Sequence, residues 1–191
     1  MYILTGTPGT GKTTVSRTLA NELGAEHIEL SVYAKENDLI TEEDLDRDTK
    51  IVDMDALSES LSKKIEKTEQ HVIIDGHYGH ELLDPKQVNL LIILRKAPWI
   101  LQETLQKRGY NEKKVRENLE AEIMGIIAKE AESIFPRDKL HEVDTTFKDP
   151  SKTVKDIIDT IRGNKTTNYE PIDWITYPET LRVLVNKTCT L

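Results

Sequence analysis

Only one cysteine, Cys189, occurs in the 191 residues, so the chain can form neither an internal disulfide nor a four-cysteine zinc cluster. That usage fits a reducing compartment. An apolar run long enough to span a bilayer is also missing, and the opening "MYILTGTPGTGK" lacks the charged segment, long apolar stretch and cleavage site of a secretory signal. A soluble, unprocessed cytoplasmic protein is expected, with the nucleus as a second location if the source is eukaryotic. There is no basic excess either: the net charge is −8, which argues against a broad electropositive face for nucleic acid, because such binding works by neutralising phosphates. An acidic balance suits a basic protein partner and, equally, plain solubility.

What the chain does contain suits one compact domain, with 37% hydrophobic and 31% charged residues. Short β-branched segments, Tyr2 to Thr5, His27 to Leu30, His71 to Asp75, Asn89 to Arg95 and Leu140 to Val143, read as strands. Between them, Lys12 to Leu23, Asp55 to Lys67, Trp99 to Lys107, Asn111 to Ile134 and Ser151 to Arg162 carry apolar residues at helical spacing. The alternation predicts a parallel sheet with helices on both faces. Two stretches interrupt it: an acidic, helix-prone insertion between Ser31 and Asp53, and the basic junction "KRGYNEKKVREN" from Lys107. Each is either a mobile element beside a nucleotide or a solvated connection. After Gly163 the composition changes to an arm with Tyr169, Trp174 and Tyr177, which we expect to dock on its own domain because isolated exposed aromatics cost solubility.

"GTPGTGKT", Gly6 to Thr13, fills every fixed position of G-x-x-x-x-G-K-[ST], after a strand and before a helix. Gly6, Gly9 and Gly11 let backbone N–H groups approach phosphate, and the helix that follows adds the positive end of its dipole. In such a loop Lys12 reaches the β/γ oxygens, the Thr13 hydroxyl suits Mg²⁺, and Thr14 is placed for the α-phosphate. The expected nucleotide is ATP. A P-loop also needs an acid at a neighbouring strand end to hold the ion through water, and Asp75, closing the run "HVII", is that candidate.

The stretch "VIIDGHYGHEL" adds His77 and His80. As a metal pair they would need a third ligand, for which Glu81 is the adjacent choice, and this fits usual zinc sites poorly. His77 leaves the strand end two residues after Asp75, so it is either near the γ-phosphate, orienting water or moving a proton, or a turn histidine bonded to backbone. His80 receives no role.

"GTPGTGKTT", Asp75-Gly76-His77 and "RGYNEKKVRENLEAEI" together resemble the adenylate kinase isoenzyme-six family, also called coilin-interacting nuclear ATPase protein, over about residues 1–162. The resemblance implies an adenylate-kinase-like α/β fold of the P-loop NTPase class, with five parallel strands in order 2-3-1-4-5. It implies a domain over 1–163 with a monophosphate-binding region at about 29–52 and a short lid at about 107–117, and a C-terminal arm over 164–191. It also implies nucleoside-monophosphate kinase and ATPase activities on ATP and AMP with Mg²⁺, and a role in small-ribosomal-subunit assembly beside a basic protein of the S-eleven kind. Arg108 would contact the nucleotide from the lid, Asp75 and His77 would carry hydrolysis, and Lys35 would stand where an arginine grips the acceptor phosphate. Lysine there is a point charge without a bidentate fork. Arg116 and Lys113 are further lid cations.

Three functions compete on these residues: a monophosphate kinase that also hydrolyses ATP, an ATPase assembly factor for a ribosomal protein, and a P-loop kinase for a small metabolite such as a sugar acid or shikimate.

Overall fold

The computed structural model describes residues 1–44, 49–164 and 169–185; Asn186 and Cys189 lie outside them. Five parallel strands form the central sheet: β1 (Tyr2–Thr5), β2 (Glu26–Glu29), β5 (Val72–Asp75), β6 (Leu90–Arg95) and β7 (Leu140–Asp144), in order β2-β5-β1-β6-β7. Counting sheet strands alone, that is the expected order 2-3-1-4-5. The three central strands are almost wholly buried because helices cover both sheet faces, and they therefore read as unbroken apolar runs rather than alternating ones.

Six helices, α1 (Lys12–Leu23), α3 (Met54–Glu66), α4 (Pro98–Lys107), α5 (Glu112–Met124), α6 (Ile126–Ile134) and α7 (Pro150–Ile161), complete the sheet layers and the α4–α5 junction. On one face, Ile3, Ile74, Leu91 and Ile93 pack with Leu57 and Leu61 of α3 and Ala128 and Ala131 of α6. On the other, Leu4, Ile73, Ile92 and Leu94 meet Val15 and Leu19 of α1 and Val154 and Ile157 of α7. Each fully buried aliphatic side chain contributes about 1.5–3 kcal/mol, so this two-sided core is what fixes the strand ends that carry the site.

The acidic insertion departs from its helix-prone reading. Among its described residues only the first part is helical, α2 (Leu30–Glu36), and it is followed by an antiparallel hairpin of β3 (Ile40–Asp44) and β4 (Thr49–Val52). Ile40, Thr41, Ile51 and Val52 are β-branched, and strand pairing, with Ile40 opposite Val52 and Glu42 opposite Ile51, outweighs the helical propensity of the acids around them. The predicted helix from Asn111 to Ile134 is also two helices. Gly125 stands between them at φ 62°, capping α5 with its N–H on the Glu122 carbonyl.

The C-terminal segment docks on the domain, as its aromatics suggested. Trp174 is 2% exposed and Tyr169 8%, and α8 (Pro178–Val185) packs Val183 against Leu101, Leu105, Val115 and Leu119. No described helix is long and apolar enough to cross a membrane.

Candidate active site

The loop between β1 and α1 is shaped by two glycines in particular. A Cβ on Gly6, at φ 136°, would lie 2.3 Å from the Leu94 carbonyl oxygen, so the loop can pass over β6 only without a side chain. Gly11, at φ 100°, precedes α1 in the left-handed region and turns the chain into the helix whose first residue is Lys12. The loop curls around its own polar groups: the Lys12 ammonium donates to the carbonyls of Gly6 at 2.7 Å and Thr7 at 3.2 Å, and the Thr10 hydroxyl donates to Thr7 at 2.9 Å. Burial lowers the Lys12 pKa to about 8; Asp75 opposes that shift, nearby Arg108 adds to it and Glu122 opposes it.

Above the loop lies a cleft of about 520 Å³, within the range of nucleotide and ligand sites. Gly9, Gly11, Lys12, Thr13, Thr14, His77 and Arg108 line it. Glu29, at the end of β2, lines it too and pairs with Arg17 at 3.1 Å, an acid that sequence reading passed over. Gly6 and Asp75 are not among the lining residues: Gly6 lies against Leu94 of β6, and Asp75 ends β5 beside Leu4 of β1.

Asp75 is 2% exposed, and its Oδ2 has no hydrogen-bond partner among the described residues. His27 Nε2 approaches that oxygen at 3.6 Å, beyond hydrogen-bonding distance, and is itself without a partner. Two residues on, the Thr5 hydroxyl donates to the His77 carbonyl at 3.0 Å and ties the turn to the strand that feeds the P-loop. The His77 ring is exposed, and it packs edge-on against Tyr78 with centroids 4.5 Å apart. Desolvation by the surrounding protein, with the charges of Lys12 and His80, lowers its pKa to about 4. Although its exposure tempers that shift, the direction leaves a neutral imidazole at pH 7.

The two histidines part company. His80 is 1% exposed and turns toward α6, where its Nε2 lies 3.3 Å from Glu130 Oε2 and 3.8 Å from Glu81 Oε1. Glu130, fifty residues away in sequence, could not have been named from the motif. His77 faces the cleft instead.

A second cleft of about 340 Å³ adjoins the first and is lined by Ser31, Ile40, Lys50, Val52, Met54, His77 and Tyr78. Ser31 and His77 line both clefts and so stand at their boundary. Lys35 lines neither; it is exposed on the last turn of α2, while Lys50 of the hairpin brings a cation to the second cleft. The same exchange occurs at the α4–α5 junction. Lys113 and Arg116 are exposed, Arg116 reaching Glu120 at 3.8 Å, whereas Lys114, Tyr110, Glu117 and Asn118 turn to the P-loop. The Asn111 side chain accepts from the Lys114 N–H at 2.8 Å and so sets the phase of α5, and Lys114 Nζ lies 4.5 Å over the Tyr110 ring. Helical spacing within "YNEKKVREN" carried that information once the start of α5 was known.

Beneath the P-loop sits a buried polar cluster. Glu122 of α5 accepts from the Thr7 hydroxyl at 2.6 Å, and from Arg95 Nε at 2.8 Å, the Lys96 N–H at 3.0 Å and Trp174 Nε1 at 2.9 Å. Arg95 also donates to Glu142 at 2.9 Å. Burial would weaken the Arg95 cation, but the Glu122 and Glu142 carboxylates outweigh it and raise its pKa. Burial raises that of Glu142, against Arg95.

The family described as AAA domain matches residues 3–125. A Methanocaldococcus jannaschii protein bearing the name "Putative adenylate kinase" is 40% identical over 171 residues, 90% of each chain. Same-named proteins of Thermococcus kodakarensis and Saccharolobus solfataricus are 36% identical over 90% of each chain and 37% identical over 96% of this chain and 92% of that one. Among solved structures, a shikimate kinase from Acinetobacter baumannii in complex with shikimate superposes with a TM-score of 0.60 at 18% identity, over 86% of this chain and 93% of that one. One from Bacteroides thetaiotaomicron reaches 0.55 at 16% identity, over 84% and 97%. At such identity these two structures carry the fold and not the substrate. The fold is that of a P-loop kinase, and the chain belongs to the AAA-domain family, together with the archaeal relatives that carry the adenylate kinase name.

Proposed function

We propose that the protein is a Mg-ATP-dependent nucleoside monophosphate kinase, with AMP or a close relative as acceptor, and that it also hydrolyses ATP. The observation that carries this reading is the pair of adjoining clefts with His77 and Ser31 at their boundary. A donor in one and an acceptor in the other would meet at that boundary, which is what in-line transfer requires. The P-loop backbone and Lys12 hold the donor phosphates. Arg108 and Lys114 bring cations from the opposite side, where charge spreads over the transferring group. Thr14 is read as an α-phosphate contact, Lys50 as the acceptor's cation in place of Lys35.

The donors fit Mg²⁺: a threonine hydroxyl on Thr13, and on Asp75 a buried carboxylate oxygen with no hydrogen-bond partner among the described residues, an all-oxygen set that suits a hard ion keeping part of its water. Bound there, the ion would neutralise charge between the β- and γ-phosphates. His77, neutral at pH 7, can accept a proton from water when no acceptor fills the second cleft, and this supports the hydrolytic half. The isoenzyme-six resemblance adds small-subunit assembly with a basic ribosomal protein of the S-eleven kind; the charge of −8 is what favours such a partner.

A bisubstrate compound, two adenosines joined by five phosphates, tests the two-cleft reading. One molecule per chain, competing with both ATP and AMP, is expected. Competition with ATP alone would remove the acceptor from the second cleft.

A further inference from the structure

The segment Tyr169–Val185 is fastened to the domain by more than apolar contact. Trp174 Nε1 donates to Glu122, the Ile172 carbonyl accepts from Arg95 at 3.2 Å, and the Ile172 N–H and Tyr169 hydroxyl donate to Glu142 at 2.9 and 3.1 Å. Glu122 is 1% exposed and Arg95 2%. Burying charged groups is costly, and an apolar contact of the same size would hold the segment at least as well. The polar form is explained by what lies on the other side.

The Glu122 oxygen not bonded to Trp174 accepts the Thr7 hydroxyl, and Thr7 is 2% exposed in the middle of the P-loop. Its carbonyl accepts in turn from the Lys12 ammonium and from the Thr10 hydroxyl. A path of hydrogen bonds, buried from the indole through Glu122 to the Thr7 hydroxyl and part-buried where the Thr7 carbonyl meets Lys12, therefore leads to the residue read as holding the donor phosphates. At the far end the indole is held by the Thr180 hydroxyl, which donates to the Trp174 carbonyl at 2.7 Å, and by the rings of Trp99 and Tyr177. Linked bonds in a buried site hold one another in place, and a loop that must cradle phosphate loses affinity when its backbone is free to shift.

We propose that Glu122 is a positioning residue for the phosphate cradle and that the docked C-terminal segment, through Trp174, sets the affinity of the cradle for ATP. The inference rests on the reading of the P-loop as the ATP site. Anything that lifts Trp174 from its seat, a partner or a truncation, then weakens nucleotide binding without touching the nucleotide.

Thr7 and Trp174 share Glu122, so a double-mutant cycle on ATP affinity measures the path. Thr7→Val keeps the shape and removes one donor, and Trp174→Phe removes the indole donor while keeping an aromatic ring at the seat; a fluorescent ATP analogue titrated into the full chain gives the dissociation constants. Each single variant is expected to bind about five-fold more weakly, and the double variant to fall at least about three-fold short of the product of the two losses. Thr7→Ser should restore affinity. In steady state, the KM for ATP should rise with the KM for AMP unmoved, a split that general loosening would not give. Thr180→Val, which frees the Trp174 carbonyl and leaves the indole whole, repeats the test should Trp174→Phe fail to fold. Losses that multiply, or a Trp174→Phe protein that binds as tightly as the parent, would overturn the inference while leaving the site reading intact. A parent chain that binds no ATP analogue would overturn both.

Discussion

Lys12 shows how a single side chain makes the site depend on pH. Its pKa of about 8 is low because the ammonium is buried against its own loop, and phosphates arriving beside it raise that value. Free and bound proteins therefore take up the same number of protons here below pH 8 and differ above it. ATP affinity is predicted to be flat from pH 6.5 to 7.5 and to fall above pH 8 toward a limit of about ten-fold per pH unit, as titration calorimetry at stepped pH would read. A fall starting below pH 7 would assign the dependence to another group. His77 makes a different prediction, because its imidazole is neutral at pH 7 and stands between the clefts. His77→Ala should lower phosphate release from ATP about ten-fold or more, with phosphoryl transfer to AMP changed less than about three-fold. Equal loss of both would make it a general support of the site. The position of the glycine-rich loop between a strand and a helix and that of Asp75 at a strand end were legible in the sequence, and Arg108, which the family resemblance pointed to, lines the same cleft as the loop. The pairing of Glu122 with Trp174 was not legible, since a buried acid and an indole 52 residues apart leave no local pattern.

At the scale of elements, the sheet could be read because strands covered on both faces become continuous apolar runs. The turns between elements were harder. Gly125 sits within an otherwise regular helical pattern, where a glycine is usually tolerated, and only its left-handed conformation ends α5 there. A Cβ at Gly125 would meet nothing closer than the Arg95 guanidinium at 3.6 Å, an ordinary contact, so the cost of substitution is confined to the backbone. Gly125→Ala is predicted to destabilise the fold by about 1–2 kcal/mol in urea denaturation. A loss near zero would mean that α5 and α6 can run on as one helix. The hairpin of β3 and β4 was misjudged for a related reason: its acids speak for helix or loop, while pairing across the strands is a non-local term. The same hairpin brings Lys50 to the second cleft, whereas Lys35, which the family resemblance pointed to, is exposed on α2.

At the scale of the whole molecule, the sheet holds the P-loop, the Asp75 turn and the end of β2 at one edge. The hairpin closes one side of that edge, the α4–α5 junction the other, and the C-terminal segment braces the junction from behind. Such an assembly would hold a donor and an acceptor at once, as the proposed function requires. Exposed lid cations would matter only through salt: Lys113→Ala and Arg116→Ala are predicted to leave turnover within about two-fold of the parent, where Lys114→Ala lowers it at least ten-fold by removing a cation from the cleft. The measurement that tests the central claim most directly is the fate of the terminal phosphate. With Mg²⁺, AMP and ATP labelled at the γ-phosphate, the account predicts that most of the label enters ADP while AMP lasts. Label found only in free phosphate, at the same rate with and without AMP, would contradict it.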